Sequence, residues 1–255
     1  LVINKRALGQ TGFEVSELAL GSVKFGRTQG LKYPNKSRIP NDRELRELLS
    51  TAKRLGINLL DTAPAYGESE SRIGKLLEKE INSWIVSTKV GEEFDGHQSH
   101  FDFSPEAIEA SVYRSIKRLG KESLDIVLVH SNGDDEDVLL RFGALEKLQD
   151  LKRQGVVRAA GVSYKTHLGA QIAISQKADV IMAALSLSDT SQENSINDAH
   201  KANIGVLIKK PFDSGHNASP SSLQFVLSHK EVSSAVIGTT SIEHLEHNTR
   251  WLKNS

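Results

Sequence analysis

The chain contains no cysteine, which excludes disulfides, thiolate metal centres and cysteine nucleophiles. Nor does it carry an excess of either charge, since Lys+Arg and Asp+Glu both total 32. Without a net field, neither nucleic acid nor an anionic membrane is an expected partner. No apolar run is long enough to span a bilayer, and the opening LVINKRALGQTG lacks the apolar core of a secretory signal. A cytoplasmic location is expected. Linkers, low-complexity tracts and a G-x-G-x-x-G fingerprint are also missing. What remains is an ordinary globular composition, 38% hydrophobic and 25% charged over 255 residues. One domain over residues 1–255 is expected, a size that α/β barrels reach as a single unit.

Short apolar runs alternate with amphipathic segments. The runs Leu18–Val23, Ile57–Asp61, Trp84–Lys89, Leu124–His130, Val157–Val162, Val180–Ala184, Gly205–Lys209 and Ser233–Gly238 are rich in Ile, Leu, Val or Ala. They read as strands buried on both faces, the pattern of a parallel sheet. Helical periodicity fills the gaps, as in Asn41–Leu55, Ser69–Glu80, Val138–Arg153 and Ile242–Lys253. Pro105–Leu119 follows Ser104, a good N-cap with proline at the first helical position. Gly155 is a plausible stop for the helix before it. Eight strands in strict alternation with helices imply right-handed crossovers and a closed (β/α)₈ TIM barrel. The rival, an open doubly wound sheet, usually brings a glycine fingerprint after its first strand. The polar segment Arg27–Asn41 reads as a mobile loop over the first strand's rim.

In barrels of this type, functional groups collect at the C-terminal ends of the strands. Asp61, Lys89 and His130 end three successive predicted strands, and Tyr66 follows in the loop after the first of them. Singly, each has an ordinary explanation: a turn residue, a solvated lysine, a satisfied histidine, a packed tyrosine. Jointly they place a carboxylate, a phenol, an ammonium and an imidazole at one rim, which are the parts of a proton donor for carbonyl chemistry. Unperturbed tyrosine titrates at about 10 and lysine at about 10.4. An ammonium beside the phenol favours phenolate and brings the tyrosine towards useful acid–base range. A carboxylate would keep that lysine charged, and an imidazole could bond the substrate oxygen. No metal is required.

The segments GINLLDTAPAYGESESRIG (Gly56–Gly74), STKV (Ser87–Val90), LDIVLVH (Leu124–His130) and GVVRAAGVS (Gly155–Ser163) resemble the aldo-keto reductase superfamily, in order over essentially the whole chain. The resemblance implies a (β/α)₈ barrel with Tyr66 as general acid, supported by Lys89, Asp61 and His130. It also implies an NAD(P)H cofactor and a small carbonyl or sugar substrate, in the manner of short, mostly microbial members. By the same resemblance Ser163 holds the nicotinamide carboxamide and Lys209 stands where an aromatic often stacks on the ring. Tyr164 and Met182 stand where the family usually has Asn and Gln. Pro211, Phe212, Ser214 and Gly215 pass the pyrophosphate. Gly238, Thr239 and Thr240 lie near the adenosine ribose, with His244 and Asn248 on the following helix. Family habit favours NADP(H) over NAD(H), although Gly238, Thr240 and His244 occupy positions where many members place Lys or Arg against the 2′-phosphate.

Other patterns compete. GSVKFGRT (Gly21–Thr28) nearly spells a phosphate-binding loop, but Arg27 replaces the lysine and no helix pattern follows. His244 and His247 have metal-compatible spacing without an evident third ligand. His97 and His100, with Asp95 and Asp102, read as a polar loop beside the substrate. Two functional alternatives also stand: a cofactor-binding regulatory protein on the same barrel, and a Schiff-base aldolase using Lys89.

Overall fold

The computed structural model describes residues 3–31 and 38–252. Eight parallel strands, β1 (Leu18–Gly21), β2 (Leu59–Asp61), β3 (Ile85–Val90), β4 (Leu124–His130), β5 (Val157–Ser163), β6 (Val180–Ala184), β7 (Gly205–Lys209) and β8 (Ser234–Gly238), close into a barrel in sequence order. The outer ring is α1 (Asp42–Arg54), α2 (Ser69–Leu77), α3 (Pro105–Leu119), α4 (Ala144–Arg153), α5 (His167–Ser175), α6 (Glu193–Lys201), α7 (Pro220–Ser228) and α8 (Ile242–Trp251). This is the expected (β/α)₈ TIM barrel. No helix among the described residues is long and apolar enough to cross a membrane.

Two cores follow from the two-residue period of the strands. Ala19, Leu59, Ile126, Leu128, Ala159, Met182 and Leu207 fill the barrel axis. Their neighbours Leu20, Leu60, Val127, Ala160, Ile181 and Ile208 face the helices. Burying one such leucine or isoleucine fully is worth roughly 1.5–3 kcal/mol. The same alternation decides the rim. Asp61 comes two residues after Leu59, His130 two after Leu128, Ser163 four after Ala159 and Lys209 two after Leu207. These polar side chains therefore point inward at the C-terminal end, where the apolar filling stops.

Local chemistry sets the helix starts. Asn41 and Glu44 form a reciprocal capping box at α1, with bonds of 3.0 and 2.8 Å. Ser104 Oγ accepts from Ala107 N at the start of α3.

The structure departs from the sequence reading in four places. The segment Val138–Arg153 is not one helix. A π turn over Asp137–Arg141 gives way at Gly143, whose left-handed φ of +63° no helix interior accommodates, and α4 begins after it. The helix from Ser69 stops at Leu77, because Glu78 is left-handed at φ +46° and opens a 3₁₀ segment, Glu78–Ser83. A hairpin of Lys5–Ala7 with Glu14–Ser16 precedes β1. Its Leu8, Phe13 and Val15 join the axial core, with Gly9 against Asn203–Gly205 where β7 begins. A second hairpin, Glu92–Phe94 with Ser99–Phe101, stands where the polar loop after β3 was expected. Of the Arg27–Asn41 loop, residues 32–37 lie outside the described residues, as does Lys253 of the last predicted helix.

Candidate active site

A cavity of about 650 Å³ opens at the C-terminal rim, and Asp61, Tyr66, Lys89 and His130 all line it. Lys89 is fully buried, and its Nζ donates to Asp61 Oδ1 at 2.7 Å and to Thr62 O at 2.9 Å. The same ammonium lies 4.9 Å from the centroid of the Tyr66 ring. Burial opposes the Lys89 charge, but the Asp61 carboxylate and Tyr66 more than offset it and hold its pKa above the ordinary lysine value. Asp61 is itself fixed: Ser22 Oγ donates to its carbonyl at 2.8 Å, and Ser69 Oγ donates to Ser22 Oγ at 2.7 Å.

Tyr66 ends the 3₁₀ turn Pro64–Tyr66. That turn rests on the backbone of Gly26, where an added Cβ would overlap Tyr66 O, Glu68 N and Ser69 N. Glycine is required there by close approach. The segment that nearly spells a phosphate loop thus forms one short helical turn, Val23–Gly26, supporting the tyrosine.

The His130 ring meets Tyr66 edge to face, with centroids 6.3 Å apart. Its Nδ1 lies 2.9 Å from Glu92 Oε2, although the angle is too poor for an aligned hydrogen bond. Burial dominates and pushes the His130 pKa down despite Glu92, so the imidazole is neutral near pH 7. Burial pushes Glu92 up, but His130, Ser99 and Arg27 outweigh it and bring its pKa down to about 2. Arg27 links these parts. Its guanidinium donates to Ala65 O at 2.9 Å and Ser99 Oγ at 3.2 Å, approaches Glu92 at 3.9 Å and stacks 3.9 Å over the Phe94 ring.

Glu92 and Arg27 were not among the residues read from the sequence as site residues. Glu92 reaches the site through a hairpin of three-residue strands, too short to leave a period. A carboxylate three residues past the Lys89 rim position was the only signal available.

Across the cavity, Ser163, Lys209, Pro211, Phe212, Ser214, Gly215 and Gly238 also line the wall. Lys209 Nζ donates to Ser163 Oγ at 3.0 Å and to Tyr164 O at 2.7 Å. Tyr164 turns away into the helix-facing core, its hydroxyl close to Ser195 of α6. Burial, then the charges of Lys210 and Lys89, lower the Lys209 pKa to about 7. The following loop is strained: Lys210, Asp213 and Ser214 have φ of +59°, +50° and +57°. Such conformations cost of order 1–3 kcal/mol each and cluster at ligand clamps. Thr239, Thr240, His244 and Asn248 do not line this cavity. Thr239 Oγ1 accepts from Ser241 N, Ser241 Oγ accepts from His244 N, and Asn248 is buried on α8.

His97 and His100 belong to the second hairpin, where Asp95 Oδ2 lies 2.6 Å from His100 Nε2. No group of three His, Cys, Asp or Glu among the described residues could hold a metal ion.

A (β/α)₈ barrel with this acid–base cluster at its C-terminal rim defines a class, the barrel enzymes whose chemistry sits in the βα loops. Within that class, the Aldo/keto reductase family model matches residues 17–218, and the chain belongs to that family of oxidoreductases, which use nicotinamide cofactors. A solved Pseudomonas aeruginosa structure assigned as an aldo-keto reductase is 40% identical with a TM-score of 0.90, over 98% of this chain and 94% of that one. The Arabidopsis thaliana L-galactose dehydrogenase is 28% identical over 96% of this chain and 87% of its own length. The Escherichia coli NADH-specific methylglyoxal reductase is 29% identical, over 84% of this chain and 68% of its own length.

Proposed function

We propose that this chain is an NAD(P)H-dependent reductase of aldehyde, ketone or sugar carbonyls, working in one domain with Tyr66 as the general acid. The observation that carries this reading is the contact of buried Asp61 and Lys89 with half-buried Tyr66 beside His130 in one cavity. When bound, the cofactor supplies a hydride to the carbonyl carbon. Tyr66 gives its phenolic proton to the carbonyl oxygen. The Lys89 ammonium stabilises the phenolate left behind, and Asp61 keeps that ammonium charged and aimed. His130, kept neutral by burial, hydrogen-bonds the substrate oxygen as charge develops there. In the reverse direction the Tyr66 phenolate takes the alcohol proton.

The remaining wall fits a dinucleotide. Ser163 and Lys209 serve the nicotinamide end, the strained Pro211–Gly215 loop the pyrophosphate, and Gly238 leads out of the cavity towards Thr239, Thr240, His244 and Asn248, which serve the adenosine ribose beyond it. Family habit favours NADP(H). A second reading, NAD(H), has its own support: Gly238, Thr240 and His244 offer no fixed cation to a 2′-phosphate, and one relative is named as NADH-specific. Parallel titration with NADH and NADPH, followed by turnover on a carbonyl panel, tests both. Turnover with a reduced nucleotide is expected. Binding without turnover on any carbonyl would favour a regulatory role, and no binding would overturn the proposal.

A further inference from the structure

Four lysines line the cavity, Lys89, Lys165, Lys209 and Lys210, and among the described residues only Lys89 is paired with a carboxylate. Lys89 on β3 pairs with Asp61 at 2.7 Å. Lys209 on β7 donates only to neutral oxygens, Ser163 Oγ and Tyr164 O. In an eight-stranded barrel closed in sequence order, β3 and β7 stand four strands apart, on opposite sides of the axis. A hydride donor must touch a carbonyl held at Tyr66, so its ring has to lie in this cavity, between those two walls. The field of Lys89 there is largely cancelled by Asp61. Among the described residues no carboxylate contacts Lys209 to cancel its field in the same way.

We propose that Lys209 discriminates the oxidation state of the bound nucleotide, its ammonium disfavouring the cationic oxidised nicotinamide ring while leaving the neutral reduced ring unopposed. This rests on the reading that a nicotinamide nucleotide occupies the cavity. The charged groups facing Lys209 are Lys210 beside it, Lys165 from the β5–α5 loop, Asp135 from the loop after β4, Lys89 across the axis, and Asp189 of the β6–α6 loop, which lines the same cavity. Tyr66 and His130 stand on the far wall. Three of those five charges are cations, which repel a cationic ring and also discharge Lys209. With its pKa lowered to about 7, Lys209 is charged below neutrality and neutral above it. Lys89, held the other way by Asp61, keeps its charge through that range. The preference for reduced over oxidised nucleotide therefore weakens as pH rises through 7.

Calorimetric titration with NADH, NAD⁺, NADPH and NADP⁺ tests this without any turnover. At roughly pH 6 the ratio of oxidised to reduced Kd in the wild-type protein should exceed that of Lys209→Met by about tenfold, equivalent to about 1.4 kcal/mol. At roughly pH 9 the two ratios should converge, while Lys209→Arg should keep a high ratio because a guanidinium does not lose its proton. A Lys209→Met ratio equal to wild type at the lower pH overturns the inference. If Lys209→Met does not fold, the arginine variant decides: a ratio that falls with pH as in wild type overturns it equally. Absence of binding by all four nucleotides overturns the cofactor reading and this inference with it. Binding without charge discrimination overturns this inference alone.

Discussion

Lys89 and Lys209 face one cavity from opposite walls, and their surroundings differ in kind. On the β2–β4 wall each charge has a counter-charge within reach: Lys89 has Asp61 and Glu92 has Arg27, with the neutral His130 ring beside Glu92. On the β5–β8 wall Lys209 has two neutral oxygens, followed by a loop with three non-glycine residues in left-handed backbone. A paired buried charge keeps its protonation state over a wide pH range, whereas an unpaired one is readily discharged. The first wall suits a group that must hold and release one proton at a fixed place. The second suits a surface that responds to what binds.

The comparison can be broken most directly at Lys89. Lys89→Met leaves the Asp61 carboxylate, 4% exposed, without its cation, and should cost about 3–5 kcal/mol in denaturant unfolding. Lys209→Met should cost far less, since it strands no opposite charge. Equal losses would mean that the walls do not differ as described. Next in size, Tyr66→Phe should lower turnover by about 10²–10⁴-fold while nucleotide affinity persists. Wild-type turnover in that variant would remove Tyr66 from the proposed chemistry.

Gly26→Ala probes how the first wall is held. The new methyl overlaps the backbone of Tyr66, Glu68 and Ser69, so a loss of about 1–3 kcal/mol is expected, with kcat falling as the Tyr66 turn shifts. Glu92→Gln is subtler. The Glu92 carboxylate supports the charged imidazole against burial, so its removal should lower the His130 pKa further, read from the ring-proton NMR titration. An upward shift would show that Glu92 does not act on His130. The smallest effect concerns pH and Lys209. Its folded pKa of about 7 lies below the unfolded lysine value of about 10.4, so the unfolded chain binds more protons between those limits. Stability should rise across that window, and Lys209→Met should lack the rise in a series of Tm values against pH. Partial exposure of Lys209 keeps the change small.

Much of this was legible in the sequence, because burial writes a period into it. The observed strands start and end within two residues of the apolar runs, and α3 matches its predicted span because Ser104 and Pro105 mark its start. The four rim residues were found because strand ends are where apolar alternation gives way to polar groups. The hairpin of Glu92 was not found: three-residue strands carry too little pattern, and their pairing depends on residues at a distance. The break at Gly143 lay inside an apolar run that reads as continuous helix, and only the left-handed backbone reveals it. Arg27 looked like the wrong residue in a phosphate loop, while folded it ties the Tyr66 turn to the second hairpin.

The sequence by itself determined the barrel and the identities at its rim, since a two-residue strand period settles which side chains face the axis and where they end. It placed both Lys89 and Lys209 on that rim without distinguishing them. Only the tertiary structure decided that one meets a carboxylate and the other meets a hydroxyl and a carbonyl. Charge state depends on partners brought together across many residues, and a linear pattern does not encode which partners those are.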